Sequence, residues 1–383
     1  MRDRIYLDHA ATTPVSQEVM QAMEPYFRER YGNPSSIHGT GREAHKAVDL
    51  ARRQTACTIG AKPREVFFTS GGSESDNWAI AGTAFALRSR GNHIITSSIE
   101  HHAVLHTCQW LERQGFRVTY LPPDGSGVID PETVEHAITK ETILISVMTA
   151  NNEIGTLEPA AEIGKTAHDH GILFHTDAVQ AAGAIPVNVQ ELNADLLSVS
   201  AHKFYGQKGA GALYIREGVR IDSLIHGGEQ ESGLRAGTEN LPGIVGMGKA
   251  IELAAGSVTE SAARITALRE KLIQGILERI PGVRLNGHPT KRLPNNCSLS
   301  FEGIESEALL LRLDLAGIAA SGGSACASGS LEPSHVLTAI GQGAEAARGS
   351  LRMTLGNETT ENEIDEVLRV LPEIVEDLRN MSR

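Results

Sequence analysis

Between residues 64 and 216 short apolar runs alternate with amphipathic stretches, and this alternation constrains the fold more than any other feature of the sequence. The runs fall at 65–70, 92–97, 117–121, 142–148, 172–176, 195–200 and 210–215. Several are apolar without a break, as in Thr142-Ile-Leu-Ile-Ser-Val-Met148, which suits a strand covered on both faces. Helical patterns at 73–88, 102–114, 131–139 and 159–170 fill the gaps. The expected fold is α/β, with a large, mostly parallel seven-stranded sheet and right-handed crossovers. Such sheets bind ligands beyond the carboxyl ends of their strands, so the residues that follow each run are the first candidates for chemistry.

Beyond a Gly-rich stretch at 227–237 lies a long helical region at 243–280. The tail then changes character: 297–301 reads as a strand, 305–316 as a helix and 360–380 as a charged closing helix. A chain of 383 residues is long for one domain at about 150 residues each. The expected division is a large sheet domain at 16–255 and a smaller α+β domain at 256–383. Forty-seven acidic residues against 35 basic ones give a net charge of −12, which disfavours nucleic acid or an anionic membrane as a direct partner. The start lacks an apolar signal core, and no run approaches the roughly 18 apolar residues of a membrane span, so a cytoplasmic location is expected. Cys57, Cys108, Cys297 and Cys326 form no CxxC pair, which argues against a zinc site, a redox dithiol or a disulfide framework.

Three strand ends carry the chemistry. Thr69-Ser-Gly-Gly-Ser-Glu-Ser-Asp-Asn77 opens a helix, where free N–H groups suit an anion. Gly71 and Gly72 permit close approach, and Ser73 can cap the helix or bind an oxygen. The segment is neither a P-loop nor GxGxxG, and a plain Ser-capped turn looks the same. Phe174-His-Thr-Asp-Ala-Val-Gln180 leaves Asp177 at the end of a buried strand, as a carboxylate in need of a cation or as a helix N-cap. Ser198-Val-Ser-Ala-His-Lys203 puts Lys203 one crossover further on, where burial would depress its pKa and make the amine nucleophilic. A lysine snorkelling to solvent is the blander reading, and Lys208 is a loop rival. Phosphate cradle, acid and lysine on successive strand ends match pyridoxal phosphate, which needs an anchor, a carboxylate against its ring nitrogen and a Schiff-base lysine. His101, in Glu100-His-His-Ala103, could stack on such a ring, and Asn151-Asn-Glu-Ile-Gly155 offers amides. The pair His168 and His170 reads as a solvated helix end rather than a metal site. Cys57, Cys108 and Cys297 read as small core residues. Cys326, in Ser321-Gly-Gly-Ser-Ala-Cys-Ala-Ser-Gly-Ser330, reads as a reactive nucleophile in a small-residue loop.

At these residues the chain resembles the cysteine desulfurases, pyridoxal-phosphate enzymes of the class V aminotransferase group. The resemblance rests on Tyr6-Leu-Asp-His-Ala-Ala-Thr-Thr-Pro14, Gly32-Asn-Pro-Ser-Ser36, the motifs above, Arg235-Ala-Gly-Thr-Glu-Asn240, Ser324-Ala-Cys326 and Leu351-Arg352, in family order. It implies a fold type I pyridoxal-phosphate transferase, with residues 1–15 associated with the small domain. Lys203 would bond the cofactor, Asp177 would face its ring nitrogen, and Gln180 would lie near its phenolic oxygen. Gly72, Ser73, Ser200 and His202 would hold the phosphate, and Thr238 would reach it from the partner subunit of a homodimer. His101 would stack over the ring and help move protons, and Asn152 would steady the cofactor. Arg352, assisted by Asn33, would hold the carboxylate of L-cysteine.

The resemblance further implies that Cys326 takes the substrate sulfur as a persulfide and leaves L-alanine. The sulfur would pass to an iron–sulfur scaffold protein or, through other acceptors, to tRNA. No resident metal is implied, Cys326 serving at most as a transient iron–sulfur ligand. A selenocysteine lyase or an aminotransferase of the same class would share most of these residues, and a docking hub for a cluster scaffold would need no turnover. The chain departs from the family pattern at Glu229, Ser232, Gln207 and Gly322, where a third Gly, Arg, Pro and a hydroxyl residue are usual.

Overall fold

Seven strands form the large sheet, in the spatial order Val66–Thr69, Gly211–Ile215, Leu196–Ser200, Leu173–Asp177, Thr142–Ser146, His93–Ser97, Arg117–Leu121. Only Gly211–Ile215 runs against the rest. The computed structural model describes residues 4–323 and 333–381, so Cys326 lies outside the described residues.

The unbroken apolar runs are explained by burial on both sides. Ile95, Ile145 and Leu197 join a core with Val48 and Ala51 of helix Gly39–Ile59, whereas their neighbours Ile94, Leu144 and Leu196 join a second core with Trp78, Val104 and Leu111. Alternate side chains of one strand thus serve opposite faces. The other six strands begin at the same pole, which gathers the carboxyl ends of Val66–Thr69, Leu173–Asp177 and Leu196–Ser200 at the opposite one.

The helix expected over 73–88 is interrupted. Gly72–Asn77 gives way to one π-helical turn at Trp78–Gly82 before Thr83–Ala86. The cause is tertiary. Trp78 Nε1–H donates to the Asp222 carbonyl at 3.0 Å, Asp222 N–H donates to Gly82 O at 3.0 Å, and a Cβ on Gly82 would stand 2.6 Å from that Asp222 oxygen. Insertion of another segment against a helix is what a π turn accommodates.

A smaller antiparallel sheet has the order Ser350–Thr354, Asn296–Phe301, Val283–Leu285. Leu299 and Leu351 from it pack with Leu309 of helix Ser306–Leu315 and with Leu371 of helix Glu361–Met381. A two-residue parallel ladder pairs Ile5–Tyr6 with Ile318–Ala319, and Leu7 joins the same core. The two cores share the 39-residue helix Leu241–Arg279. Ile244, Met247 and Ile251 serve the large sheet, while Ile265, Leu272 and Ile276 serve the small one, so position 255 falls inside a continuous helix. Among the cysteines, Cys108 and Cys297 are buried as expected. Cys57 is exposed, which corrects its reading as a core residue: it lies on helix Gly39–Ile59 but outside the stripe that packs.

Candidate active site

Lys203 closes a single 3-10 turn, Ala201–Lys203, directly after strand Leu196–Ser200. Its Nζ donates to the carbonyl of Ala11 at 2.8 Å and to that of Ala10. Gln180 Nε2 donates to the same Ala10 oxygen at 3.0 Å, and Ala10 N–H donates to Thr354 Oγ1 at 2.8 Å. The N-terminal segment therefore lies across the lysine. Thr13 Oγ1 donates to His202 O at 3.0 Å, and His202 Nδ1 pairs with Thr12 Oγ1 at 3.1 Å.

Asp177 ends strand Leu173–Asp177 opposite Ser198 and accepts the Val179 N–H at 2.8 Å. Burial pushes its carboxyl up to about 6, against the pull of that hydrogen bond and of the Lys203 charge. Beneath it the fully buried Asp76, 3.7 Å from His175 Nε2, is raised well above the usual carboxylate range by burial and by Asp177. His101 caps helix His102–Arg113, its Nδ1 accepting the Ala103 N–H at 3.1 Å. Burial first, then the Lys203 charge and the neighbouring histidines, holds it down at about 4. His202 is held at about 4 by burial and by Lys203 and Lys208. Both imidazoles are neutral at pH 7, and a His101 that accepts at Nδ1 carries its hydrogen on Nε2.

The Gly71-Gly72 turn comes against these elements. A Cβ on Gly72 would stand 2.8 Å from Val179 Cγ2 and 3.6 Å from Ser200 Cβ; one on Gly71 would stand 3.7 Å from Ser200 Oγ. A side chain at Gly72 would overlap Val179, Gly71 has a φ of 153 that side-chain-bearing residues rarely adopt, and Ser73 follows at the exposed rim. Arg352, 2% exposed, donates through Nη1 to Asn152 O at 2.9 Å and through Nη2 to Asp8 Oδ1 at 3.0 Å; its Nε is buried with no hydrogen-bond partner among the described residues.

The other candidates lie further out. Asn33 is exposed and spends its Oδ1 on the Ser35 N–H at 2.9 Å, and no contact among the described residues joins it to Arg352. Thr238 and Lys208 are exposed. Of the departures, Glu229 and Ser232 are exposed, Ser232 in the left-handed region at φ 58. His168 is no merely solvated helix end: its Nε2 lies 3.2 Å from Oδ2 of the fully buried Asp195, which also binds Arg216 at 2.5 Å. Among the described residues no group of three or more His, Cys, Asp or Glu side chains could hold a metal ion.

The structure adds residues that the sequence reading passed over. Glu100 is fully buried; its Oε1 accepts the Ser97 hydroxyl at 2.6 Å and the Met148 N–H at 3.0 Å, its Oε2 has no partner, and burial pushes it up to about 8. Glu231 accepts two bonds of 2.7 Å from Arg52 and the Phe68 N–H at 2.9 Å, and Arg235 grips Glu74, so the 227–237 stretch is tied to the strand and helix of the glycine turn. Glu100 stood inside a quoted motif, but nothing in the letters showed its burial.

A lysine, a buried acid and a neutral imidazole gathered at the strand ends of a mostly parallel sheet, beside a glycine-opened turn, define the aminotransferase-like class of α/β enzyme. The chain belongs to the class V aminotransferase family, whose pattern matches residues 5–367. Cysteine desulfurase IscS of Methanosarcina thermophila is 59% identical over 378 residues, covering 99% of this chain and 93% of that relative. A solved NifS-like protein superposes with a TM-score of 0.92 at 41% identity, covering 98% of this chain and all of that one. Another solved structure, SspA in complex with cysteine, gives a TM-score of 0.82 at 41% identity over 93% of this chain and all of that one.

Proposed function

We infer that the chain is a pyridoxal-phosphate-dependent cysteine desulfurase, acting on L-cysteine through Cys326. The observation that carries this reading is the setting of Lys203: a strand-end amine held by two backbone carbonyls, within electrostatic reach of buried Asp177 and neutral His101. The residues fit the cofactor. Gly72 leaves the space that a phosphate-binding backbone needs, with Ser73, Ser200 and His202 around it, and Asp177 is a desolvated acid that a protonated ring nitrogen would return to its charged form. When bound, pyridoxal phosphate supplies an electron sink that acidifies the Cα–H of an attached amino acid.

Lys203 provides the amine that bonds the cofactor, and Gln180 and Asn152 orient it. His101, which accepts at Nδ1 and feels the Lys203 charge, can hold or pass a proton at the site. Arg352 holds the substrate carboxylate, a task for which the planar guanidinium is suited, with Asn33 assisting from the rim. Cys326 Sγ attacks the substrate sulfur: an S–S bond forms, the substrate Cβ–S bond breaks, and its electron pair stays on Cβ, which is protonated to give alanine. An acceptor thiolate then takes the outer sulfur of the persulfide, the S–S bond breaking to release the Cys326 thiolate; an iron–sulfur scaffold is among the acceptors. Thr238, exposed in the single chain, completes the phosphate site of a second copy in a homodimer. No helix among the described residues is long and apolar enough to cross a membrane.

The test begins with the purified protein. It should show the absorbance of a lysine-bound cofactor, and borohydride should fix that cofactor on the Lys203 peptide. Cys326→Ser should keep the colour and lose sulfide release from cysteine. A colourless protein that takes up no cofactor, label on another lysine, or undiminished sulfide release by Cys326→Ser would each overturn the reading.

A further inference from the structure

Glu153 belongs to the turn at 151–155, yet no step above uses it. Its side chain is 1% exposed and faces both ends of the segment that carries Cys326. Ser334 Oγ donates to Glu153 Oε2, and the same oxygen caps helix His335–Ala339 by accepting the Leu337 N–H at 3.2 Å. Gly323 lies against the same carboxylate: a Cβ there would stand 3.2 Å from Glu153 Oε2 and 3.0 Å from Ser334 Cβ. Residues 323 and 334 thus meet over one buried acid.

The acid is itself held firmly. Asn151 Oδ1 accepts the Glu153 N–H at 2.9 Å, and Asn296 Nδ2 donates to the Glu153 carbonyl at 3.2 Å. The next residue back, Asn152, receives the Arg352 Nη1–H. On the other side, Gly323 N–H donates to Ser350 Oγ at 3.2 Å, and Ser321 and Arg352 exchange backbone hydrogen bonds of 3.1 and 2.7 Å. Burial lifts the Glu153 carboxyl to about 7, with the Ser334 hydroxyl and the Arg352 charge drawing it back. The arginine assigned to the substrate and the base of the nucleophile segment are therefore built on one hydrogen-bonded frame.

We propose that Glu153 is a positioning residue that holds Ser334 against Gly323 beside Arg352, and so sets the reach of Cys326 to a substrate anchored there. This deepens the desulfurase reading and rests on it. Gly323 and Ser334 are not among the residues assigned to cofactor or cysteine, so loss of the clamp slows sulfur abstraction and spares the earlier binding step. Misplacement of a reacting group by about 1 Å can cost up to about 100-fold in rate.

Ser334→Ala removes the hydroxyl and leaves the carboxylate, and Ser334→Thr restores a hydroxyl. The holoenzymes are mixed rapidly with L-cysteine. The cofactor absorbance change reports substrate engagement, and quenched alkylation with peptide mass reports persulfide on Cys326. The expected result for Ser334→Ala is an unchanged absorbance phase with persulfide formation slowed by roughly 10- to 100-fold. Ser334→Thr should recover most of the wild-type rate. Persulfide formation at the wild-type rate in Ser334→Ala, equal slowing of both signals, or no recovery in Ser334→Thr would overturn the clamp. A wild-type protein that shows neither signal would instead overturn the desulfurase reading.

Discussion

At Gly72 the decisive feature is a methyl group the chain does not carry. Alanine there would press within 2.8 Å of Val179 Cγ2, two residues past Asp177, and the turn or the valine must move. We expect Gly72→Ala to weaken pyridoxal-phosphate binding by about tenfold or more, the equivalent of roughly 1.4 kcal/mol, while the apoprotein melts within a few degrees of wild type. A fluorescence titration with the cofactor, beside a thermal melt, checks this. Arg352 makes a second residue-scale case. Arg352→Lys keeps a charge but loses the fork that reaches Asn152 O and Asp8 together, so kcat/KM for cysteine should fall by roughly 10- to 100-fold, the worth of one charged hydrogen bond at about 1.5–3 kcal/mol. An unchanged kcat/KM would remove Arg352 from the substrate site. The strand-end places of Lys203 and Asp177 were legible in the sequence, because apolar runs mark where strands stop; Arg352, inside strand Ser350–Thr354, was singled out only by the family resemblance. Glu100, Asp76 and Glu153 were not, because a carboxylate announces its role only through what buries it. Cys57 shows the same limit in reverse, since a helical pattern does not say which side of the helix faces solvent.

At the scale of elements, the strands of the large sheet were readable within a residue or two, because burial on both faces writes an unbroken apolar run. Only partly legible were features imposed from a distance. The π turn at Trp78–Gly82 answers to Asp222, and the short strands Ile5–Tyr6, Ile318–Ala319, Val283–Leu285 and Ser350–Thr354 are defined by partners rather than by their own pattern. Helix Leu241–Arg279 passes between two cores with no loop to mark the change. The turn after Thr142–Ser146 offers the sharpest test. Gly155 has φ 76, and a Cβ on it would stand 2.6 Å from the Asn296 side chain that holds Glu153. Gly155→Ala should destabilise the protein by more than the roughly 1 kcal/mol of an ordinary glycine substitution, because strain and overlap act together. Denaturant unfolding measures it, and a smaller loss would mean that the turn yields.

For the whole molecule, buried ionisable groups set the response to pH. Glu100 and Glu158 are pushed up to about 8 and Glu153 to about 7, all by burial, from an ordinary value of 4.5. Their folded forms keep protons that the unfolded chain releases, so the stability they contribute is complete below pH 4.5 and is lost as pH rises through 7 and 8. His101 and His202 at about 4 and His175 at about 3 act oppositely: their contribution is complete above pH 6.5 and is lost as pH falls towards 4. Between pH 6.5 and 8 the glutamates alone of these groups change, so the melting temperature of the apoprotein should fall across that window. Each glutamate still protonated contributes a slope of up to about 1.4 kcal/mol per pH unit. Thermal melts of the wild type and of Glu100→Gln, which should fall less steeply, decide the matter; a flat or rising profile in the wild type would refute protonated glutamates in the core.

The thread of residues 5–13 across Lys203 has a consequence for biogenesis. Ala10, whose carbonyl receives the lysine, is fixed by Thr354, 344 positions later in the chain. Its neighbours pair with Ile318–Ala319, also made late. Strand and helix units can fold as they emerge from the ribosome, earlier segments first. The amine, however, finds its carbonyl partners in their final place only after residue 354 has been translated. A nascent chain stalled between residues 216 and 350 would hold Lys203, Asp177 and the glycine turn without the strap that seats the amine. The seat of the Lys203 amine is thereby completed only when nearly all of the polypeptide has been made.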